Sequence, residues 1–125
     1  MIKSFIYIFI GCGFGGCLRY FISTLSFKQL PTQFPYYTLM ANILACLIAG
    51  LLIGFFQKTQ QSTQNLSFLL VTGFCGGLST FSTFSVESLN LCKQGNTTLF
   101  FIYIFSSIFL GILSVLLGLT LSGKI

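Results

Sequence analysis

The chain has no histidine and no tryptophan, and Glu87 is its only acidic residue. Without imidazole or a second carboxyl group, Ser-His-Asp catalysis, paired-carboxylate chemistry and histidine metal ligation are out of reach. An intramembrane hydrolase and a histidine proton relay fall on the same inventory, and nothing here reads as an enzyme. Charge is scarce altogether. Only 6% of the 125 residues carry it, against roughly a quarter in soluble domains. The six basic residues, Lys3, Arg19, Lys28, Lys58, Lys93 and Lys124, stand singly. A net charge of +5 spread this way is not a nucleic-acid footprint, which requires clustered basic side chains.

Cysteine is present but unpatterned. Cys12, Cys17, Cys46, Cys75 and Cys92 are odd in number and show no C-x-x-C spacing, and all but Cys92 lie in apolar runs. They read as small hydrophobic residues rather than as disulfides or metal ligands. A cleaved leader is not indicated either, because one Lys precedes the first apolar stretch and no clean small-x-small site follows it.

What the chain does have is apolar length. Hydrophobic side chains make up 54% of it, with a mean hydropathy of +0.95. The uncharged runs are 4–18, 29–57, 59–86 and 94–123. A membrane-spanning helix takes about 20 mostly apolar residues, so the last three suffice outright, and the first extends past Arg19 through Tyr20, Phe21 and Ile22. The expected spans are 4–25, 36–56, 66–91 and 97–121. A loop with Lys28, Pro31 and Pro35 joins the first two, and the polar stretch 57–65 joins the next two. Residues 1–125 therefore read as a single all-α, four-helix transmembrane domain with no room for an extramembrane one.

The third span is unusual. It contains Gly73, adjacent Gly76 and Gly77, and then Ser79, Thr80, Ser82, Thr83 and Ser85 alternating with Phe81 and Phe84. The adjacent glycines predict a helix break near Gly76-Gly77. Broken backbone is tolerated at membrane depth only where it is buried in protein or lines a wet cavity, and such breaks coordinate ions in channels and transporters. A packing face accounts for the glycines, since Gly73/Gly77, Gly11/Gly15 and Gly50/Gly54 are small-xxx-small pairs. It does not account for the hydroxyl run, which favours a functional break. Phe81 and Phe84 share a face if the helix resumes there, and the positive edge of an aromatic ring can meet an anion.

Thr38, Asn42, Ala45 and Ala49 form one face of the second span. Interhelical glue and pore lining both remain open for Asn42. Tyr103, Ser107, Gly111, Ser114 and Gly118 form a stripe on the fourth span, suited either to close packing or to a hydroxyl ladder. Arg19 lies on the glycine face of the first span, where it either snorkels to the interface or places positive potential near an anion entrance. Glu87, late in the third span, is expected at the membrane interface. With four spans, Lys3, Lys58 and Lys124 fall on one side and Arg19, Lys28 and Lys93 on the other. That balance carries no positive-inside bias and suggests an antiparallel dimer of one sequence.

Three stretches resemble the Fluc (CrcB) family of fluoride channels over essentially the whole chain. Gly11-Cys-Gly-Phe-Gly-Gly-Cys-Leu-Arg19-Tyr20 is similar to the family's glycine-rich first helix. Pro35-Tyr-Tyr-Thr38-Leu-Met-Ala-Asn42 is similar to its Pro-x-Gly-Thr-x-x-x-Asn stretch. Gly73-Phe-Cys-Gly-Gly-Leu-Ser-Thr-Phe-Ser-Thr-Phe84 matches its most distinctive segment. The resemblance implies a dual-topology antiparallel homodimer in a bacterial inner or plasma membrane, exporting fluoride passively and so lowering its toxicity. It also implies two parallel fluoride pathways and a structural Na⁺ on the dyad, held by the carbonyls of Gly76 and Ser79. Asn42, Phe81 and Phe84 would line each pathway, with Thr38, Thr83, Tyr103 and Ser107 as polar neighbours and Arg19 near a vestibule. The chain departs from the family pattern at Tyr37 and Ala45, where glycine is usual or common, and at Gly111, where a polar residue is frequent.

Two rival classes share the composition. A small proton-coupled multidrug antiporter also has four short helices, but it needs a carboxyl group deep in its first span, which holds none here. A packing subunit of a larger complex fits the glycines and not the Ser-Thr-Phe-Ser-Thr-Phe run.

Overall fold

A computed structural model of the chain describes residues 1–25, 33–59 and 64–123. Lys28, Pro31, Lys124 and the centre of the polar loop fall outside them. Apart from Ser79–Thr80 and the turns at the rod ends, the described residues are helical, with four rods long and apolar enough to cross a membrane. An unbroken helix satisfies its interior backbone groups within itself, which hydrocarbon demands. The first rod is α1 (Ile2–Thr24) and the second α2 (Tyr36–Thr59). The third, Gln64–Lys93, is composite. It runs through α3 (Gln64–Ser67), a π-helix (Phe68–Cys75) and α4 (Gly76–Leu78), and resumes as α5 (Phe81–Lys93). The fourth is α6 (Thr97–Leu121).

Each end has a local cause. At the close of α1, Ser23 Oγ donates to the Tyr20 carbonyl at 2.6 Å and Thr24 Oγ1 to the Phe21 carbonyl at 2.7 Å. These hydroxyls add side-chain bonds to carbonyls at the fraying end of the helix. Past α5, Gly95 takes φ +77°, the left-handed region that favours glycine. Its N–H reaches the Cys92 carbonyl at 3.1 Å, and the N–H of Asn96 reaches that of Leu91 at 3.0 Å. This paired closure is a Schellman motif, and it turns the chain straight into α6.

The rods pack through small residues in two pairs. A Cβ added to Gly73 would lie 2.9 Å from Gly11 Cα, and one on Gly77 would lie 2.6 Å from the Cys12 carbonyl oxygen. Likewise α6 presses Gly118 onto the backbone of Leu47 and Leu51, while Gly50 abuts Val115. Lipid tails are as apolar as leucine, so close backbone approach rather than hydrophobic contrast holds such helices together. Between the pairs sits a small core of Ile22, Ala41, Ala45 and Leu78, flanked by Leu18, Tyr37, Ile48 and Phe74. Large apolar side chains mostly point outward, Phe5, Phe9, Phe105 and Phe109 among them.

The spans follow the sequence closely, and the third rod is broken close to the glycine pair, two residues beyond it. Gly76 and Gly77 are helical, and the backbone turns extended only at Ser79 (φ −77°, ψ 157°) and Thr80 (φ −152°, ψ 122°). The interruption lies two residues beyond the glycines because Gly77 is committed to packing on α1. Gly77→Ala is expected to cost about 1–3 kcal/mol through overpacking, whereas Gly13→Ala, with nothing within 4 Å of the new Cβ, leaves stability unchanged or slightly raised. Thermal unfolding in detergent compares the two.

Candidate functional site

The break is held by one side chain. Asn42 Oδ1 accepts the backbone N–H of Thr80 at 2.7 Å, and Asn42 Nδ2 donates to the Thr80 carbonyl at 3.3 Å. An unbroken α-helix would send that N–H to the Gly76 carbonyl, so the Asn42 amide releases Gly76 from its helical partner while satisfying Thr80. Thr80 then restarts the helix. Its Oγ1 accepts the Thr83 N–H at 3.3 Å as the N-cap of α5 and donates to Thr83 Oγ1 at 3.1 Å. The carbonyl of Ser79 accepts a long contact from Arg19 Nη1 at 3.4 Å.

One turn and a half further along α5, Glu87 faces inward. Thr38 Oγ1 donates to its Oε1 at 2.9 Å and Tyr103 Oη donates to its Oε2 at 2.8 Å. At the level of the start of α2 and late in the third rod, Glu87 turns toward its neighbouring helices. The sole acid is half-buried and tied to α2 and α6. Tyr103 is wholly buried (0% exposed) and also carries the Phe84 ring at 5.1 Å, tilted by 53°. Phe84 in turn lies 5.7 Å from Phe81.

Three cavities follow the helices past these groups. The first, about 260 Å³, is an open groove lined by Asn42, Cys46, Ser79, Thr80, Phe84 and Ser107 and edged by the exposed Phe81 and Ile108. Ser107 Oγ is buried there without a hydrogen-bond partner. The second, about 360 Å³, holds Arg19, Tyr37, Thr38, Thr80, Thr83 and Glu87 together with Gly16, Tyr20 and Ser23. The third, about 250 Å³, lies where the start of α2 meets the end of α5 and is walled by Gln33, Phe34, Pro35, Tyr37, Glu87, Asn90, Leu91 and Gln94. Thr80 belongs to the first two cavities; Tyr37 and Glu87 belong to the last two. The sequence-selected residues are thus gathered along one line, in two groups either side of Thr80. Arg19, Thr38 and Thr83 share the second cavity, and Asn42, Phe81, Phe84 and Ser107 share the open groove. Tyr103 lies behind Glu87 and lines none of the three.

Sequence reasoning missed Glu87 and Thr80. A lone acid late in a span shows no partner in the sequence, since Thr38 and Tyr103 lie on other helices. A hydroxyl residue directly before the resuming helix is a capping signal, and it could have singled out Thr80.

With this geometry in place, the comparisons are decisive. The family model described as CrcB-like protein, Camphor Resistance (CrcB), matches residues 6–119. The chain belongs to the CrcB family. It is 38% identical over 123 residues to the fluoride-specific ion channel FluC of Flavobacterium psychrophilum, covering 98% of this chain and 99% of that one. To the FluC of Phocaeicola vulgatus it is 43% identical over 122 residues, with 96% and 98% covered. The Bacteroides fragilis FluC is 44% identical over 123 residues, with 93% of each chain covered. The antiporter alternative finds no support among these CrcB relatives.

Tyr103→Phe leaves Glu87 Oε2 without its donor, and an unsatisfied buried group of this kind costs about 1–3 kcal/mol. In a Glu87→Ala background the same change is expected to cost much less. Unfolding of the four variants in detergent gives the coupling directly.

Proposed function

We infer that this chain is a fluoride channel of a bacterial cell membrane, carrying the ion passively out of the cytoplasm. One observation carries the reading beyond family membership. At the break in the third rod, the unpartnered Ser107 hydroxyl, the Asn42 amide and the rings of Phe81 and Phe84 line one groove that is open on the single chain. A small, strongly hydrated anion gives up water only where donors replace it closely. Asn42 spends one amide hydrogen on the Thr80 carbonyl, so its second is available, beside the Ser107 hydroxyl and the positive ring edges. Arg19 raises the potential of the adjoining cavity, which favours anion entry. Export needs no coupling, because the membrane potential drives an anion outward by about 2.3 kcal/mol per 100 mV.

The working unit of this proposal is an antiparallel homodimer. The balanced basic residues support it, and so does Phe81, which is 78% exposed on a single chain although it borders the proposed path. The same unit takes a structural Na⁺. The donor set fits a hard cation: backbone oxygens are hard ligands, and the Gly76 carbonyl has lost its helical N–H to the Asn42 clamp. Gly76 and Ser79 of each chain would hold the ion through those oxygens, and it would supply positive charge and cross-link the two breaks.

Purified protein in fluoride-loaded liposomes, with valinomycin relieving the potassium diffusion potential, is expected to release fluoride where empty liposomes do not. Asn42→Asp is expected to abolish release, since it deletes the amide donor, including the one to the Thr80 carbonyl, and sets like charge in the anion's way. Phe81→Ile and Phe84→Ile are each expected to cut release while preserving volume, and normal rates in both would reduce the rings to packing. Ser79→Ala is expected to keep most of the flux, because the proposed ligand is its carbonyl. Complete indifference of flux to exhaustive sodium removal would sink the cation.

A further inference from the structure

Thr38, Asn42 and Cys46 follow one another at spacings of four along α2, so they share one face of that helix. Thr38 stands in the Arg19 cavity, and Asn42 and Cys46 line the open groove at the break. Cys46 therefore lies about 6 Å beyond Asn42, away from the Arg19 end. We propose that the Cys46 thiol is an ion contact, its S–H donating to fluoride as the ion passes from the Asn42 and Ser107 donors toward the Lys58 end of α2. This deepens the fluoride-channel reading and rests on it.

Nothing covers or occupies this thiol. Cys46 makes no disulfide and no hydrogen bond among the described residues. Opposite it α6 carries a glycine: a Cβ added to Gly111 would meet only the Cys46 sulfur within 4 Å, at 3.7 Å. Gly111 follows Ser107 by four residues, which sets the thiol one turn beyond a hydroxyl that is itself buried in the groove without a partner. Further along, residues 47–56 of α2 are apolar or glycine. Ser114, the next hydroxyl of α6, gives its hydrogen to the Leu110 carbonyl at 2.6 Å. Between the Asn42 level and Gln57, Cys46 is thus the last side chain of α2 with a hydrogen to give, and α6 adds none after Ser107. A thiol is a weak donor. That suits the end of a donor series, because a conducted ion must be held firmly enough to enter and loosely enough to leave.

The test is fluoride efflux from liposomes carrying wild type, Cys46→Ser or Cys46→Ala, read beside thermal unfolding of the same proteins in detergent. Serine keeps a donor at the same place, and its efflux is expected within about twofold of wild type. Alanine deletes the donor and is expected to slow efflux at least about threefold, although as the better helix former it should unfold no lower than serine. The inference is overturned if alanine conducts like wild type, if serine falls as far as alanine, or if alanine loses stability that serine keeps. A second measurement acts on protein already assembled. In a Cys12→Ala/Cys17→Ala/Cys92→Ala background, methyl methanethiosulfonate converts the Cys46 S–H to S–S–CH₃, with methanesulfinate leaving and the thiol proton passing to water. Mass spectrometry is expected to find Cys46 capped and Cys75, only 5% exposed, untouched. Efflux is expected to fall on capping and to recover with dithiothreitol, and Cys46→Ser in the same background is expected to ignore the reagent. A Cys46 that resists capping, or a capped one that leaves efflux unchanged, overturns the inference as well. Loss of wild-type fluoride release itself would instead strike the channel reading, so the two failures are told apart.

Discussion

Backbone N–H and C=O groups cannot be left bare at membrane depth, and the interruption at Ser79–Thr80 is possible only because Asn42 answers both polar groups of Thr80. Each unsatisfied group there would cost several kcal/mol. The rest of the site follows from that one clamp. It permits the extended residues, sends the Gly76 carbonyl away from its helical partner and leaves Thr80 placed to cap α5. With α5 restarted at Phe81, the register of Phe84 and Glu87 is set, and these meet Tyr103 and Thr38 on the neighbouring helices.

Much of this was legible in the residues, and the failures have physical reasons. Spans were legible because seven charges space out long apolar stretches, and α1, α2 and α6 begin and end within three residues of the expected spans 4–25, 36–56 and 97–121. The hydroxyl-phenylalanine run marked the correct segment for the break. Its offset from the glycines was not legible because adjacent glycines serve two ends, flexibility and close approach, and only the fold shows that Gly77 is used for approach to Cys12. The partners of Glu87 were not legible either. They are 49 and 16 residues away in the chain, and no local pattern announces a long-range hydrogen bond.

Packing and conduction are divided between different stretches of the same rods. Gly11, Gly15, Gly73 and Gly77 press α1 and the π-helical stretch together, and Gly50 and Gly118 do the same for α2 and α6. Contacts made backbone to backbone leave the larger side chains free of the task of holding the bundle. Polar residues can then be spent on the line of cavities between the two pairs, where Asn42, Thr80 and Thr83 are found. A bundle held by interlocking side chains would have to fill that line.

The direction of each hydrogen bond decides which of the polar residues can serve an anion. Thr38 and Tyr103 give their hydroxyl protons to Glu87, so what either still offers is lone pairs, which an anion avoids. Their place in the site is to hold the acid, and through it the end of α5. Thr80 likewise donates its hydroxyl proton to Thr83. Thr83 Oγ1 accepts that bond, which leaves its own hydrogen to give. Ser107, buried and unpartnered, has its hydrogen to give as well. Donor capacity for an anion is therefore concentrated at Arg19 and Thr83 in the vestibule and at Asn42, Ser107 and the ring edges beyond it. Glu87 stands at the outer boundary of that series, with both oxygens occupied, so its nearest donors are turned toward it and away from the ion.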